Sequence, residues 1–318
     1  MQKHFRTGIN VPLKATGKKI FTEALNQNFG YFYTVNEILK KSRSKFQDIQ
    51  LIDTDEFGKV LLLDNITQVA EKTEFEYHEP MVHPALCSHP KPESVLIIGG
   101  GDGGIAREVL RYPVVKRVEQ AELDEGVIKF AQKYLKKIHG GCFDDKRLNV
   151  NIVDGRKYTK DHPGEFDIII MDMTDPFGPS KMLYTRDFFR TVKKAMRNGK
   201  GIFVMHSESP VARPEAFACI NKTLSSTFEH VCPFYLYIQM YAVLWSVSLS
   251  SDETNVQAIK PQFVDKQLKK YGIDDLNVYS PQTHLSMQTS FPYVNKILQR
   301  RARIITDKNP DFPDNFIS

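Results

Sequence analysis

The chain has 318 residues, of which 41% are hydrophobic and 25% are charged, as is typical of a globular protein with one large or two moderate domains. Its 43 basic and 38 acidic residues leave a mild net charge of +5, so we expect no nucleic-acid partner, which usually requires a clustered basic face. No stretch approaches the roughly 18 apolar residues of a membrane span, and no membrane partner is expected.

Four cysteines are present, and none has the CxxC spacing of a zinc site or a neighbouring Cys–His pattern. We therefore interpret Cys87, Cys142, Cys219 and Cys232 as reduced, mostly buried thiols. The N-terminal segment 1–19 is basic but lacks the apolar run of a secretory signal. These features predict a cytoplasmic protein.

The N-terminal part alternates in short, strand-like runs. Residues 1–30 have weak periodicity and predict an irregular lead-in. The predicted strands that follow, separated by turn signals, are 31–39, 46–54, 59–65 and 67–71. They indicate an antiparallel meander, too small for a catalytic domain, that serves as an oligomerisation or lid element. A helix over 74–87 leads onward, so the predicted domains are 1–85 and 86–318.

Beyond residue 92 the pattern changes to buried strands that alternate with amphipathic helices. The predicted strands are 95–100, 118–124, 148–155, 166–175 and 201–209. This alternation predicts a largely parallel, doubly wound α/β sheet. Two further strands, 230–239 and 244–251, are close together and predict an antiparallel hairpin at one edge. Residues 252–318 are less regular and richer in proline.

The first strand of this domain ends in a glycine-rich loop, VLIIGGGDGGIAREVL, at residues 95–110. Its five glycines allow a sharp turn and a close approach of the backbone to a nucleotide-like ligand. Asp102 is the unusual member, because the N–H groups of such a loop already favour anions and a phosphate site would avoid a carboxylate. The loop therefore predicts a ligand that carries positive charge.

Acidic residues follow each of the first four predicted strands. They are Asp102, Glu122, Asp124, Asp154, Asp172 and Asp175. One such residue is often only a helix N-cap, but ligands of α/β sheets bind beyond the carboxyl ends of the strands, where these residues would meet. Glu122 lies about 20 residues beyond the glycine loop, at the spacing of an acid that accepts ribose hydroxyls. Asp154, followed by Gly155, could accept from an adenine amino group. Together the carboxylates predict a negative cleft that orients polycations.

With these motifs the chain resembles the spermidine synthase-type aminopropyltransferases. The matching C-terminal motifs are GGGDGGIAREVL (99–110), AELDEGVI (121–128), VDG (153–155) and DMTDPFGPSKMLYTRDFF (172–189). The matching N-terminal motifs are SKFQDIQ (44–50), FGKVLLLDNITQ (57–68) and EFEYHEPMVHPAL (74–86). The resemblance covers roughly residues 30–210 well and the remainder loosely.

This resemblance implies a Rossmann-like, methyltransferase-type sheet with a small N-terminal antiparallel β domain, assembled as a homodimer or homotetramer. It also implies transfer of an aminopropyl group from decarboxylated S-adenosylmethionine, a co-substrate, to an amine, with no cofactor and no metal. The residues implied for donor binding are Gln47, Gln68, His78, Gly99, Gly101, Asp102, Gly103, Glu122, Asp154 and Gly155. Asp172 aligns with the catalytic base, helped by Tyr77, while Asp175 anchors the amine and Tyr241 lines the acceptor channel.

Amine chemistry agrees with this assignment. A primary alkylamine has a pKa near 10, so it must lose a proton before it can attack carbon, and a nearby carboxylate can accept that proton. Intact S-adenosylmethionine would bring its own carboxylate close to Asp102 and be repelled.

Several positions depart from the family pattern. They are Thr73, Met173, His206 and the segment 239–244, QMYAVL, which replaces Pro-Thr-Tyr-Pro-Ser-Gly. A glutamine is commonly expected where His206 stands. The residues expected to bind the donor thus follow the family pattern, whereas those expected to bind the acceptor differ from it. Putrescine is the leading acceptor, with cadaverine, agmatine and spermidine left open.

Two other functions remain as alternatives. An amine N-methyltransferase on the same scaffold would use intact S-adenosylmethionine, and Asp102 argues against it. A polyamine- or nucleoside-binding protein without turnover is the other. Asp172 and Tyr77 argue against that protein, while the altered segment 239–244 favours it.

Overall fold

The computed structural model describes residues 18–313. Residues 1–17 and 314–318 lie outside the described part. Most of the basic N-terminal segment, residues 1–19, is therefore not described.

The described chain forms three sheets and a set of covering helices. The strands are β1 (Lys19–Ala24), β2 (Gly30–Val35), β3 (Glu37–Arg43), β4 (Asp48–Thr54), β5 (Gly58–Leu63), β6 (Ile66–Ala70), β7 (Ser94–Gly99), β8 (Arg117–Glu122), β9 (Leu148–Ile152), β10 (Ile168–Asp172), β11 (Ile202–His206), β12 (His230–Ile238) and β13 (Val243–Ser251). The helices are α1 (Phe75–Ser88), α2 (Gly104–Leu110), α3 (Glu125–Tyr134), α4 (Lys136–His139), α5 (Gly155–Asp161), α6 (Arg186–Ala195), α7 (Pro214–Ser225), α8 (Pro261–Tyr271), α9 (Pro281–Ser286) and α10 (Pro292–Leu298).

The N-terminal part contains six strands, two more than predicted. The prediction of an irregular lead-in over 1–30 is wrong for 19–24, because β1 pairs antiparallel with β2 along its whole length. The predicted strand 31–39 is divided between two sheets at Asn36, since β2 joins β1 whereas β3 joins β4. The sequence does not signal β1 because apolar and polar residues do not alternate along KIFTEA, where Ile20 and Phe21 are adjacent. The predicted meander is confirmed as the four-stranded order β3-β4-β5-β6.

The main sheet has seven strands in the order β12-β13-β11-β10-β7-β8-β9. The five strands from β11 to β9 are parallel, and β12 and β13 form the antiparallel hairpin predicted at one edge. Every residue of β7 and β11 is buried, because helices cover both faces of a parallel sheet. The doubly wound α/β fold is therefore confirmed.

Helix α1 connects the two parts and is confirmed with nearly the predicted bounds. Its side chain Glu79 is buried and accepts the backbone N–H groups of residues 277–279 at 2.7–2.8 Å, so the C-terminal region is fixed to the main domain. That region is more regular than predicted, since it contains α8, α9 and α10.

All four cysteines are free and buried. Within residues 18–313, no helix is both long and apolar enough to cross a bilayer.

Candidate active site

A cavity of about 490 Å³ lies beyond the carboxyl ends of β7, β8, β9 and β10, where the acidic residues were expected to meet. It is also lined by β5, β6 and the turns beside them. The predicted site residues that line it are Gln47, Gln68, Tyr77, His78, Gly101, Asp102, Glu122, Asp154, Gly155, Asp172, Asp175 and Tyr241. The strand register explains this convergence, because Asp172 at the end of β10 pairs with Gly99 at the end of β7.

Gly99 and Gly103, which the sequence assigned to donor binding, are not among the lining residues. Both have a φ near +85°, which favours glycine. A Cβ on Gly99 would lie 2.1 Å from the carbonyl oxygen of Asp172, and one on Gly103 would lie 2.7 Å from Cβ of His139. In this structure both glycines allow neighbouring chain segments to pack closely against the loop, and they do not face the cavity.

Asp172 and Tyr77 form a half-buried pair that lines the cavity. The Tyr77 hydroxyl donates to Oδ1 of Asp172 at 2.8 Å. Burial, together with the negative charge of Asp102, raises the pKa of Asp172 to about 6. Burial raises the pKa of Tyr77 well above 10. Near pH 7, Asp172 is therefore mostly ionised but readily protonated, while Tyr77 remains a hydrogen-bond donor.

Asp102 is fixed by two groups. Its Oδ1 accepts the Gly104 N–H at 2.7 Å, and its Oδ2 lies 3.6 Å from Nε2 of His78. Nδ1 of His78 contacts Glu74 at 2.5 Å, and Arg107 donates to the same Glu74 oxygen at 2.9 Å. Burial opposes the charge of His78, but Asp102 and Glu74 outweigh it and raise the pKa of His78 to about 10. His78 is therefore an imidazolium at neutral pH, and its charge helps keep the pKa of Asp102 below the usual range despite burial.

Gly104 leaves room for the buried His78 ring, since a Cβ there would lie 2.1 Å from Cε1 of the imidazole. We expect Gly104→Ala to reduce the free energy of unfolding by about 1–3 kcal/mol, because the ring is held on both sides and cannot move away. Urea denaturation measures this. In a His78→Ala background the same substitution should cost much less, and an equal cost in both backgrounds would contradict the steric explanation.

The part of the cavity predicted to bind the donor, here called the donor half, is lined by acidic side chains that also have structural roles. Asp124 accepts Gln47 Nε2 at 2.9 Å and also caps α3, while Asp154 caps α5 through the Lys157 N–H at 3.0 Å. The N-cap interpretation thus holds for two of the six carboxylates, yet both also line the cavity. Glu122 caps no helix, and burial raises its pKa to about 7. A protonated Glu122 can donate as well as accept, which suits a pair of hydroxyl groups.

The part of the cavity predicted to bind the acceptor, here called the acceptor half, contains an ion cluster that the sequence did not predict. Asp175 contacts Arg213, which also contacts Glu208 at 3.2 Å and donates from Nε to the Leu25 carbonyl at 2.8 Å. Glu208 is fully buried and has a φ of 69°, an uncommon backbone conformation outside glycine. No motif in the stretch SESPVARP signalled this cluster, because ion pairs between a strand end and a following loop have no characteristic spacing.

Tyr241 borders the same half of the cavity. Its hydroxyl donates to the Gln68 carbonyl at 2.9 Å, and its ring lies 5.2 Å from that of Trp245. The altered segment 239–244 therefore still places a tyrosine against the N-terminal meander. Glu23 of β1 also lines this half, and it too was missed because β1 was not recognised.

One group in the described chain has the ligand types and spacing for a metal ion, with ligand atoms of Asp175, His206 and Glu208 within 4.8 Å of one another. Both carboxylates already share the guanidinium of Arg213.

Comparison with known proteins gives a consistent match in sequence and in fold. A family profile described as "Spermine/spermidine synthase domain" matches residues 74–261, and one described as "Spermidine synthase tetramerisation domain" matches residues 20–71. The chain belongs to the spermine/spermidine synthase family.

Individual members of the family are similar along most of their length. A polyamine aminopropyltransferase from Nitrosomonas europaea is 38% identical over 287 residues, covering 90% of this chain and 88% of that protein. One from Thermoanaerobacter sp. is 39% identical over 269 residues, covering 83% of this chain and 92% of that protein.

Solved structures of spermidine synthases have the same fold. One, in complex with the transition-state analogue AdoDATO, is 32% identical with a TM-score of 0.83, covering 88% of this chain and 95% of that chain. The enzyme from Thermotoga maritima is 31% identical with a TM-score of 0.82, covering 89% and 95%.

Proposed function

We propose that the protein transfers the aminopropyl group of decarboxylated S-adenosylmethionine to an amine and releases 5′-methylthioadenosine. Its family consists of transferases of this kind. The observation that carries the proposal is the pairing of two differently tuned carboxylates in one cavity. The pKa of Asp102 is lowered, which suits a permanent anion beside an ammonium, and that of Asp172 is raised, which suits a proton acceptor.

The donor is placed by its charged and polar groups. Asp102 pairs with the ammonium of the aminopropyl group, Glu122 binds the ribose hydroxyls, and Asp154 accepts from the adenine amino group. Gly155 supports this placement, since a Cβ there would lie 2.5 Å from the Ile98 side chain, so the backbone follows the sheet closely. Gln47 is held by Asp124 at the same end.

The reaction requires an uncharged amine aligned with the carbon attached to sulfur. The acceptor enters as an ammonium, and Asp172 takes its proton while Tyr77 holds the carboxylate in place. The nitrogen lone pair then forms the new C–N bond as the C–S bond breaks, and the sulfonium leaves as a neutral thioether. The leaving group is good, so positioning supplies much of the rate.

Of the two alternatives, an N-methyltransferase would bind intact S-adenosylmethionine, whose carboxylate would face the anionic Asp102. A binding protein without turnover would not need a tyrosine donating to a carboxylate of raised pKa. The ion pair between Asp175 and Arg213 keeps the second alternative open, because it changes the predicted amine anchor.

The test is incubation with decarboxylated donor and a panel of amines containing putrescine, cadaverine, agmatine and spermidine, with products identified by mass spectrometry. We expect methylthioadenosine and an aminopropylated amine in equal amounts. Binding of amine and donor without formation of a product would instead support the alternative of a binding protein without turnover.

We also propose that the protein assembles as a homo-oligomer through its N-terminal strands. The match of residues 20–71 to a tetramerisation domain supports this. So does the exposed face of the β1–β2 sheet, where Ile20 and Phe32 are 48% and 50% exposed. Both side chains lie on one face, because Ile20 pairs with Thr34 and Thr22 pairs with Phe32.

Replacing Phe32 with aspartate should therefore lower the oligomeric state without unfolding the subunit, since the change adds charge to a surface that is exposed in the single chain. Light scattering after size-exclusion chromatography measures the mass. Tyr237→Asp is the matched control, because it adds the same charge at a 60% exposed position on β12, and it should leave the mass unchanged. An unchanged mass for Phe32→Asp would contradict this face as the interface.

A further inference from the structure

The loop between β10 and α6, residues 173–185, forms one wall of the cavity, and more than half of its residues line it. Residues 178–184 of this β10–α6 loop form a short 3-10 helix, which is not part of the seven-stranded sheet. The loop includes Asp175 in the acceptor half and Met182, whose backbone carbonyl accepts from Arg156 in the donor half. The position of this loop therefore affects the shape of the whole cavity.

Arg156 links the β10–α6 loop to the donor half. It follows Gly155 at the start of α5, lines the cavity, and donates from Nη1 to the Met182 carbonyl at 2.6 Å. Its guanidinium carbon lies 5.8 Å from the centre of the Phe188 ring. A guanidinium presents several donors in a fixed plane, and here Nη2 contacts the carboxylate of Asp307. The orientation of the guanidinium, and with it the hydrogen bond to the loop, is therefore set by Phe188 and Asp307.

Asp307 is itself held in place by residues at the start of α6. Its Oδ1 accepts the hydroxyl of the buried Thr185 at 2.6 Å, and its backbone N–H donates to Asp187 at 2.9 Å. The carbonyl of Ile305, a fully buried residue, accepts the Arg186 N–H at 2.8 Å. A carboxylate fixed in this way is a well-placed partner for a guanidinium.

The contact between Arg156 and Asp307 has a local effect. The accessible fractions of their side chains are 30% and 37%, and ion pairs this exposed contribute little to the free energy of unfolding. The contact nevertheless joins three separate segments, which are the start of α5, the β10–α6 loop and the C-terminal segment 305–307. Breaking it should release the loop without unfolding the domain.

We propose that Asp307 is a positioning residue that acts through Arg156 to hold the β10–α6 loop in place as a wall of the cavity. Asp307 is not among the lining residues, and it lies outside residues 74–261, which the synthase profile matches. The effect on catalysis rests on the proposed aminopropyl transfer. A wall that is already in place lowers the cost of binding substrates, whereas Asp172 and Tyr77 lie on other elements. Loss of Asp307 should therefore raise KM more than it lowers kcat.

Limited proteolysis tests the position of the loop without any substrate. Trypsin cleaves after lysine, and Lys181 lies within the loop, so the rate of cleavage there reports local opening. In Asp307→Ala we expect cleavage after Lys181 to be about three- to tenfold faster, with an unchanged midpoint of urea denaturation. Mass spectrometry of the fragments measures the rate. Asp161→Ala is the matched control, because it removes an exposed ion pair with Lys157, the neighbour of Arg156 on α5, and it should leave the rate unchanged.

Kinetics tests whether Asp307 acts through Arg156. Asp307→Asn keeps an oxygen for the Thr185 hydroxyl but presents an amide instead of a carboxylate to the guanidinium. We expect it to raise the KM for both substrates about three- to tenfold, with kcat within about twofold of the wild type. Arg156→Met should have a similar effect. Adding Asp307→Asn to Arg156→Met should change KM little further, because the two residues act as one unit.

Three results would overturn the positioning role of Asp307. One is a rate of cleavage after Lys181 in Asp307→Ala equal to that of the wild type. The second is a pair of KM effects that multiply in the double variant, and the third is a loss confined to kcat. Absence of any aminopropylated product from the wild type would instead refute the proposed function, and the proteolysis result would still decide whether Asp307 holds the loop.

Discussion

Replacing Asp172 with asparagine should lower kcat by about 10²- to 10⁴-fold, the usual contribution of a positioned general base. The asparagine amide still accepts from the Tyr77 hydroxyl, which lies 2.8 Å from Asp172 Oδ1, but it cannot take a proton from the incoming amine. Donor affinity, measured by calorimetry, should be nearly unchanged. Steady-state kinetics with decarboxylated donor and putrescine measures the loss.

The pH profile gives a second readout of the same variant. Because the pKa of Asp172 is raised to about 6, the wild-type kcat/KM should fall tenfold per pH unit below that value, where the carboxylate becomes protonated. The variant should lack this acid limb. Asp175→Asn is the matched control, since we expect it to raise the KM for the acceptor with a smaller effect on kcat. A kcat for Asp172→Asn within threefold of the wild type would exclude Asp172 as the base.

Replacing Asp102 with asparagine should weaken binding of decarboxylated S-adenosylmethionine by about 30- to 1,000-fold, as expected when one partner of a buried charge pair is removed. The affinity for intact S-adenosylmethionine should fall much less, or should rise, because the variant no longer repels the carboxylate of this donor. The variant therefore should reduce the discrimination between the two donors. Calorimetric titration with each donor measures it.

Asp154→Asn is the matched control for this prediction. Asp154 lines the donor half and caps α5, and asparagine is an equally good N-cap, so the fold should be preserved. The adenine that we assign to Asp154 is common to both donors, and this variant should weaken both by the same factor. Equal losses for both donors in Asp102→Asn as well would contradict a selective role for Asp102.

Much of the fold was predictable because strand and helix periodicities are strong in this chain. The parallel strands β7, β10 and β11 are continuous apolar runs, and the edge hairpin β12–β13 follows from two strands separated by four residues. Strand β1 was not predictable in the same way, since apolar and polar residues do not alternate along it, although its partner β2 follows after only five residues. The division of 31–39 between two sheets is a tertiary effect.

The candidate site, like the fold, was predictable only in part. Carboxylates at strand ends were predictable, because a parallel sheet brings the ends of its strands to one edge, and twelve of the fourteen predicted residues line the cavity. The sequence could not show that Gly99 and Gly103 turn away from it, since a glycine pattern does not say which glycines face the ligand and which make room for the chain. Nor could it show that Arg213 contacts Asp175 or that Nδ1 of His206 has no hydrogen-bond partner among residues 18–313. Those facts depend on side chains brought together from separate segments.

The most direct measurement offers both donors at equal concentration with putrescine in a single reaction and determines by mass spectrometry which group the amine has gained. A cavity in which Asp102 faces the ammonium end of the donor predicts an aminopropylated amine and methylthioadenosine, with no methylated amine. A methylated amine and S-adenosylhomocysteine as the main products would contradict it.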